Sequence, residues 1–340
     1  MLTRRGLLAG AATSGLGLSA CSRRRTDPVV VYTDQVPGRF GDHRGDWIIE
    51  KAERAGHTIE LLQIEGPELG ARFAEEAAEP RCDVLLGYDT VAHELLRQRN
   101  LLATRTPAWA AGLPGPYWPL TRDPVLLIYS SAAFPGGRNA PADWPDLWTR
   151  PDLAGHYQVE TVLEPYVRVA LYGLLHRYRD DAGQAGVSKA GWDALATYYR
   201  YGLRPSNRWL YQRMDAGEVY AGVTDLWWWR ATSAGVATQT DAATPAVGVP
   251  MLDQHISLLA AAPHAERAAA FVDWYGSPAV QGEVSRTFGL LPALPAAQTV
   301  GDQGVVQAGR RFTEQRIDWA YVARHSDEWL RRVRTDFGLR

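Results

Sequence analysis

Apolar residues in this chain come in two patterns that take turns. Val29 to Tyr32 is an unbroken β-branched and aromatic run, which predicts a strand buried on both faces. A polar loop with Pro37 and Gly38 follows, then a helix-like stretch, GDWIIEKAERAG, stopped by Gly56. HTIELLQIEG reads as a second strand, and residues 67–79 as a helix ended by Pro80. Asp83 to Gly87 is the next strand. Asp89 or Thr90 caps the helix after it, which carries Val91, Leu95 and Leu96 on one face.

The same strand–turn–helix form recurs along the chain. DPVLLIYSS is a buried strand, and HYQVE a shorter one before a turn at Glu164-Pro165 and a long apolar helix. Ser206 or Asn207 caps another helix. VYAGVTD ends in Thr224 or Asp225 as the cap of a helix stopped by Gly235. Residues 236–250, rich in Ala, Thr and Pro, read as a loop. A further strand follows, then a helix closed by Gly276 and another with Ser277 as cap and Pro278 at its first position. The last 30 or so residues read as amphipathic helix. Strands alternating with helices predict an α/β fold with a mainly parallel sheet and helices on both faces.

Length and charge narrow the class. The 340 residues are enough for about two domains of roughly 150 residues. With 46% hydrophobic residues and a net charge of −2, a packed core is expected, and no basic surface for nucleic acid stands out. Two cysteines, Cys21 and Cys82, leave no room for a disulfide framework or a cysteine-built metal site.

Cys21 has a particular setting. MLTRRGLLAGAATSGLGLSAC carries a twin arginine and an apolar stretch shorter than the ~20 residues a membrane span needs. It reads as a signal peptide over residues 1–20. Leu18-Ser19-Ala20-Cys21 resembles the lipidation box of bacterial lipoproteins, which implies that Cys21 is acylated and residues 21–27 form a tether. Thr3 to Leu8 also resembles a twin-arginine export motif, leaving that route and the general secretory route both open.

In an open parallel sheet, ligands meet the chain beyond the carboxyl ends of the strands. There the sequence places Thr33-Asp34-Gln35 after Tyr32, Tyr88-Asp89, Tyr166, and Thr224-Asp225 followed by Trp227 and Trp228. Ser206 and Asn207 join them at another helix start. Helix N-termini attract anionic groups, and aromatic faces stack rings or hold organic cations. Consecutive helical residues point about 100° apart, so Trp227, Trp228 and Trp229 do not share one cavity; Trp227 or Trp228 is expected to line the site.

Taken in order, VVVYTDQ, PRCDVLLGYDTVAHELLRQRNLLA, MDAGEVYAGVTDLWWWRA, AAPHAERAAAFVDWYGSPAVQGEVSRTFGLLP and IDWAYVARHSDEWLRRV resemble the ferric-iron and thiamine-type solute-binding lipoproteins of bacterial ABC importers. The resemblance spans nearly all of the chain beyond the tether. It implies a two-lobed periplasmic-binding-protein fold of type II with hinge-connected, parallel-rich sheets. Lobe 1 would comprise residues 28–122 and 250–300, lobe 2 residues 123–249, with C-terminal helices 301–340 packing on a lobe. It further implies capture of a small molecule, partner permease and ATPase subunits, a monomer, and an exported chain held at the cell membrane by lipid and facing the periplasm or exterior. No catalytic group, cofactor or metal is expected.

The chain departs from the iron-binding members at one telling place. They carry adjacent tyrosines after the strand that here ends in Val223-Thr224-Asp225, where this chain has tryptophan, and indole offers Fe³⁺ no hard oxygen ligand. The serine-rich anion cradle of other members is replaced by Glu164-Pro165-Tyr166. A small polar organic solute, zwitterionic or ring-bearing, fits this mixture; ferric iron is the alternative. Among enzymes, an exported hydrolase is the rival reading. His43 lies near Asp42 and Asp46, and Ser130-Ser131 follow a strand, yet no Gly-x-Ser-x-Gly or His-Glu-x-x-His occurs.

Overall fold

The computed structural model describes residues 27–34, 43–161, 164–233 and 239–338. The signal stretch, Cys21, Gln35 and Asp42 lie outside the described residues. The strands are β1 (Val29–Thr33), β2 (Ile59–Gln63), β3 (Val84–Leu86), β4 (Tyr117–Ser130), β5 (Arg179–Gln184), β6 (Ala221–Asp225), β7 (Thr240–Ala242) and β8 (Met251–Leu258). The α-helices of the first half are α1 (Arg44–Arg54), α2 (Leu69–Glu75), α3 (Thr90–Gln98), α4 (Asp146–Thr149), α5 (Pro165–His176) and α6 (Lys189–Tyr201). The rest are α7 (Leu210–Asp215), α8 (Leu226–Ser233), α9 (Ala265–Tyr275), α10 (Pro278–Phe288), α11 (Pro295–Val300), α12 (Gln303–Gly309) and α13 (Trp319–Phe337).

Local chemistry explains several of these boundaries. Asp89 caps α3 by accepting the Ala92 N–H at 2.9 Å. Pro165 and Pro278 open α5 and α10 where no N–H is needed. α10 ends at Gly289, whose φ of 68° suits glycine. The expected cap of α7 moves: Ser206 and Asn207 are exposed in the preceding loop, and Trp209 is the cap residue, its N–H donating to the Gln212 side chain at 3.0 Å. The predicted loop 236–250 contains the short strand β7, recruited by β4. The C-terminal amphipathic run is divided between α12 and α13.

The sheet runs β2-β1-β3-β8-β4-β6, with β7 also on β4. It is mixed rather than mainly parallel. β1 pairs in parallel with β2 and β3, while β8 and β4 pair antiparallel with each other and with their other neighbours. The reason lies in β4 and β8. Residues 117–124 of β4 pair with β8, and residues 125–130 pair with β6 and β7. One strand thus carries the chain from the first lobe to the second and the other brings it back, so they run in opposite directions.

Alternation along each strand then fills four cores. Val29 and Val31 face α1 and α9, while Val30 and Tyr32 face α2 and α3. Beyond the crossing, Val125 and Leu127 face α5 and α6, and Leu126 and Ile128 face α7 and α12. Helix α13 buries Tyr321, Val322, Trp329 and Val333 in the same cluster as α5 and Val91 of α3, so it lies against elements on both sides of the crossing.

Helix α5 is held tightly against the returning chain. A Cβ at Gly173 would collide with the Pro250 ring at the start of β8. Gly173→Ala should therefore destabilise the fold by about 1–3 kcal/mol despite the better helix propensity of alanine, as read from the urea midpoint at unchanged m. An unchanged or raised midpoint would show that this contact yields.

Candidate binding site

β6 ends at the crossing, and α8 starts there. Asp225, the last residue of β6, is 5% exposed and accepts the Trp228 N–H at 2.7 Å. Asp123, two positions before the β4 residue that pairs with Asp225, accepts the Trp227 N–H at 3.2 Å. Two carboxylates therefore sit side by side on the first N–H groups of one helix. Burial pushes the Asp225 carboxyl up to about 7, with the Trp228 N–H opposing and Glu164 adding to the rise. Asp123 is also pushed well above the usual carboxylate range, first by burial and then by the neighbouring Asp225.

The first lobe brings its own acid to this mouth. Asp34, just past β1, is raised to about 7 by burial and then by the charge of Asp89, with Arg44 opposing. Its Oδ1 is buried without a hydrogen-bond partner among the described residues. Arg44, at the start of α1, opposes the rise at both Asp34 and Asp123 through its charge.

The tryptophans divide as their helical spacing requires. Trp227 donates its indole N–H to the Phe288 carbonyl at 2.9 Å and packs on the core of the first lobe. Trp229 donates to Thr240 and packs beside α12. Trp228, between them, is partly exposed and meets Trp227 edge-on at 5.0 Å and Trp209 at 6.1 Å. Trp209 itself is 61% exposed, so an aromatic file runs from the crossing to the surface. On the facing side Tyr166, in the first turn of α5, is partly exposed. Burial raises its phenol, and Glu160, Glu164 and Asp225 add to this. Tyr211, on α7, is 6% exposed, and its hydroxyl stands beside Asp225, Thr224 and Thr232. Burial raises its phenol, and the Thr232 and Thr224 side chains oppose that rise.

Not every sequence-derived candidate reaches this mouth. Tyr32 is fully buried, its hydroxyl 2.5 Å from Glu76, because its strand position points it at α2. Tyr88 is likewise core, donating to the Ile64 carbonyl at 2.7 Å. Thr33 and Thr224 are buried in their strands. Ser206 and Asn207 stay on the exposed loop before Trp209. Asp34 and Asp89 are close enough to act on one another, as are Tyr166 and Asp225; Trp228 donates its N–H to Asp225, and Trp227 is tied to Phe288.

Other sequence features are spent elsewhere. Tyr198 and Tyr199 pack in the core of the second lobe, and Arg208 pairs with Glu218 at the surface. Arg230 lies against Gly304 of α12. Cys82 is buried, with burial raising its thiol well above the ordinary range. His43 is exposed beside Asp46, and Ser130 is buried, its hydroxyl oxygen accepting the Ala133 N–H at 3.5 Å. Among the described residues no group of three or more His, Cys, Asp or Glu is placed to hold a metal ion.

Asp123, Arg44, Trp209 and Tyr211 were not foreseen. For Asp123 a signal exists: it precedes Pro124 at the entry of an apolar run, an expensive place for a carboxylate. The other three depend on helix placement alone.

A carboxyl whose folded value of about 7 exceeds its unfolded value of 3.8 makes the fold bind more protons than the unfolded chain between those pH values. Its contribution to stability therefore falls as pH rises from about 4 through 7. Asp225→Asn keeps an acceptor for Trp228 and removes this cost. The variant should be more stable than the parent at pH 8, by about 1–3 kcal/mol, with the gain shrinking toward pH 4. Thermal unfolding across pH checks it; a gain that grows on acidification would refute the assignment.

Comparison with known proteins gives this mouth its context. Residues 51–312 match the model of a family described as bacterial extracellular solute-binding protein. A protein of Sinorhizobium fredii described as a probable ABC transporter periplasmic-binding protein is 30% identical over 336 residues, covering 95% of this chain and 90% of the relative. The apo ferric ion-binding protein A of Pasteurella haemolytica superposes with a TM-score of 0.73 at 14% identity, covering 92% of this chain and 98% of that one. Iron-bound HitA from Pseudomonas aeruginosa gives 0.67 at 16% identity, with coverages of 92% and 99%. AfuA from Actinobacillus pleuropneumoniae, with fructose-6-phosphate bound, gives 0.64 at 14% identity and the same coverages. These structures share the two-lobed fold, and both fold and family are those of transport-associated binding proteins rather than enzymes. The chain belongs to the bacterial extracellular solute-binding proteins and is the solute-binding protein of an ABC transporter.

Proposed function

We propose that the protein is a lipoprotein that captures a small polar organic solute between its lobes and delivers it, as a monomer, to permease and ATPase subunits. Lobe 1 consists of residues 28–122 and 250–300, and lobe 2 of residues 123–249. Residues 1–20 are removed, and the acylated Cys21 holds the rest at the membrane by the tether 21–27. The observation that supports this reading is a run of mutual charge effects: Asp89 acts on Asp34, Arg44 acts on both Asp34 and Asp123, Asp225 acts on Asp123, and Glu164 and Asp225 act on Tyr166. A solute touching both lobes favours the closed arrangement by its differential affinity for it. Tryptophan in place of metal-binding tyrosine after β6 favours an organic solute over ferric iron, and Trp228 is its stacking wall.

Two measurements test this. A thermal-shift screen over amines, amino acids, sugars, sugar phosphates, thiamine-like cofactors and Fe³⁺ should find an organic stabiliser that also changes tryptophan fluorescence. Trp228→Ala should weaken that compound about 5- to 30-fold, the equivalent of roughly 1–2 kcal/mol for a lost aromatic wall. Stabilisation by Fe³⁺ alone would replace the organic reading with the iron one. Separately, Cys21→Ala should release the protein from the membrane fraction of its host, as read by fractionation; retention would exclude anchoring through Cys21.

A further inference from the structure

Building on the binding-protein reading above, we propose that Trp227 is a latch between the two lobes: its indole N–H, carried on α8 of lobe 2, closes on the Phe288 carbonyl of lobe 1 when the mouth shuts and lets go when it opens.

Helix α8 sends its three tryptophans to three places. Trp229 bonds within lobe 2, donating to Thr240 at 2.9 Å. Trp228 is partly exposed beside Trp209. Trp227 reaches across and donates to Phe288, the last residue of α10, at 2.9 Å. Among the described residues it is the one apolar side chain of 123–249 that packs on either core of lobe 1, joining the cluster of Val31, Ile48, Leu120 and Phe271.

The acceptor suits such a partner. α10 stops at Gly289, so the Phe288 carbonyl lies in the last turn, where carbonyls have no helical donor. The negative end of the helix adds to the pull on an N–H. Both Trp227 and Phe288 are partly exposed. Once they part, water serves each of them, so the bond is a modest net gain and a reversible one. A bond of that size fits an equilibrium that a solute has to tip. Its place gives the direction. The Trp227 backbone N–H is on Asp123 and the next N–H is on Asp225, so the latch stands at the mouth. Parting the lobes about β4 and β8 there draws α8 away from α10 and breaks it. The indole also meets Trp228 edge-on at 5.0 Å, so a ring stacked on Trp228 braces the latched one.

The test needs no solute. In the full mature chain, spin labels are attached through Arg54→Cys on α1 and Lys189→Cys on α6, both exposed and on different lobes, and the distance between them is read by electron resonance. Trp227→Phe keeps a ring and loses the N–H. It should raise the ratio of open to shut molecules about 3- to 10-fold, the range one ordinary hydrogen bond supplies, and raise the radius of gyration in small-angle scattering. Trp229→Phe loses an indole bond of the same length inside lobe 2 and should leave both readouts as in the parent. Should Trp227→Phe fail to fold, proton exchange in the unaltered chain decides: the Trp227 indole N–H should exchange at least tenfold faster than that of Trp329, which is held by the Ala185 carbonyl. An unchanged distance distribution in Trp227→Phe, an equal change in Trp229→Phe, or exchange at Trp227 no faster than at Trp329 overturns the latch while the binding-protein reading stands. That reading fails separately, when the solute screen finds no specific stabiliser.

Discussion

The antiparallel pairing of β4 with β8 is the constraint on which the rest depends. These strands carry the polypeptide across and back, and every other element attaches to one side of that crossing. Arg122 and Asp253, register partners on the two strands, are joined by bonds of 2.9 and 3.2 Å, and the same guanidinium reaches Glu314 at 3.1 Å. A partly buried fork-to-carboxylate pair of this kind fixes register more than it adds stability. Register matters here because it decides where Asp123 stands. Slipped by one residue, β4 would turn that carboxylate to the other face and empty the mouth of one of its two hinge acids.

The mouth is built at some expense to the fold. Asp34, Asp123 and Asp225 are all held above their ordinary range, chiefly by burial. Carboxyls held in a costly buried state are characteristic of functional sites. The aromatic residues around them divide the work. Trp227 and Trp229 are tied down by hydrogen bonds to Phe288 and Thr240, while Trp228 makes only edge contacts with its two tryptophan neighbours among its ring contacts. The rigid pair fixes α8 against both cores, and the middle ring is presented to the opening.

Two-lobed binding proteins of this fold share the crossing and differ in what lines it. The fold is common to neighbours whose structures hold iron and fructose-6-phosphate. That breadth follows from the construction: the strands place a few chain turns at a common point, and the residues on those turns alter without disturbing the cores behind them. In this chain the turns carry carboxylates and indoles.

Much of this was legible in the residues themselves. The apolar runs at Val29–Tyr32 and Val125–Ile128 located buried strands because a two-sided core leaves no polar position on them. Asp89 and Asp225 were readable as caps because a short acceptor before a periodic stretch finds N–H groups wherever the helix later packs. Such features are local, so the chain specifies them without knowing its neighbours. What tertiary structure alone decided was direction and company. Tyr32 and Tyr88 turned into a core because pleat and neighbouring helices, not residue type, choose the face. The mixed sheet, the meeting of Asp123 with Asp225 across about a hundred residues, and the approach of Trp209 and Tyr211 depend on how distant strands and helices settle together. No spacing along a single chain encodes those contacts, since each forms only when separate surfaces bury one another.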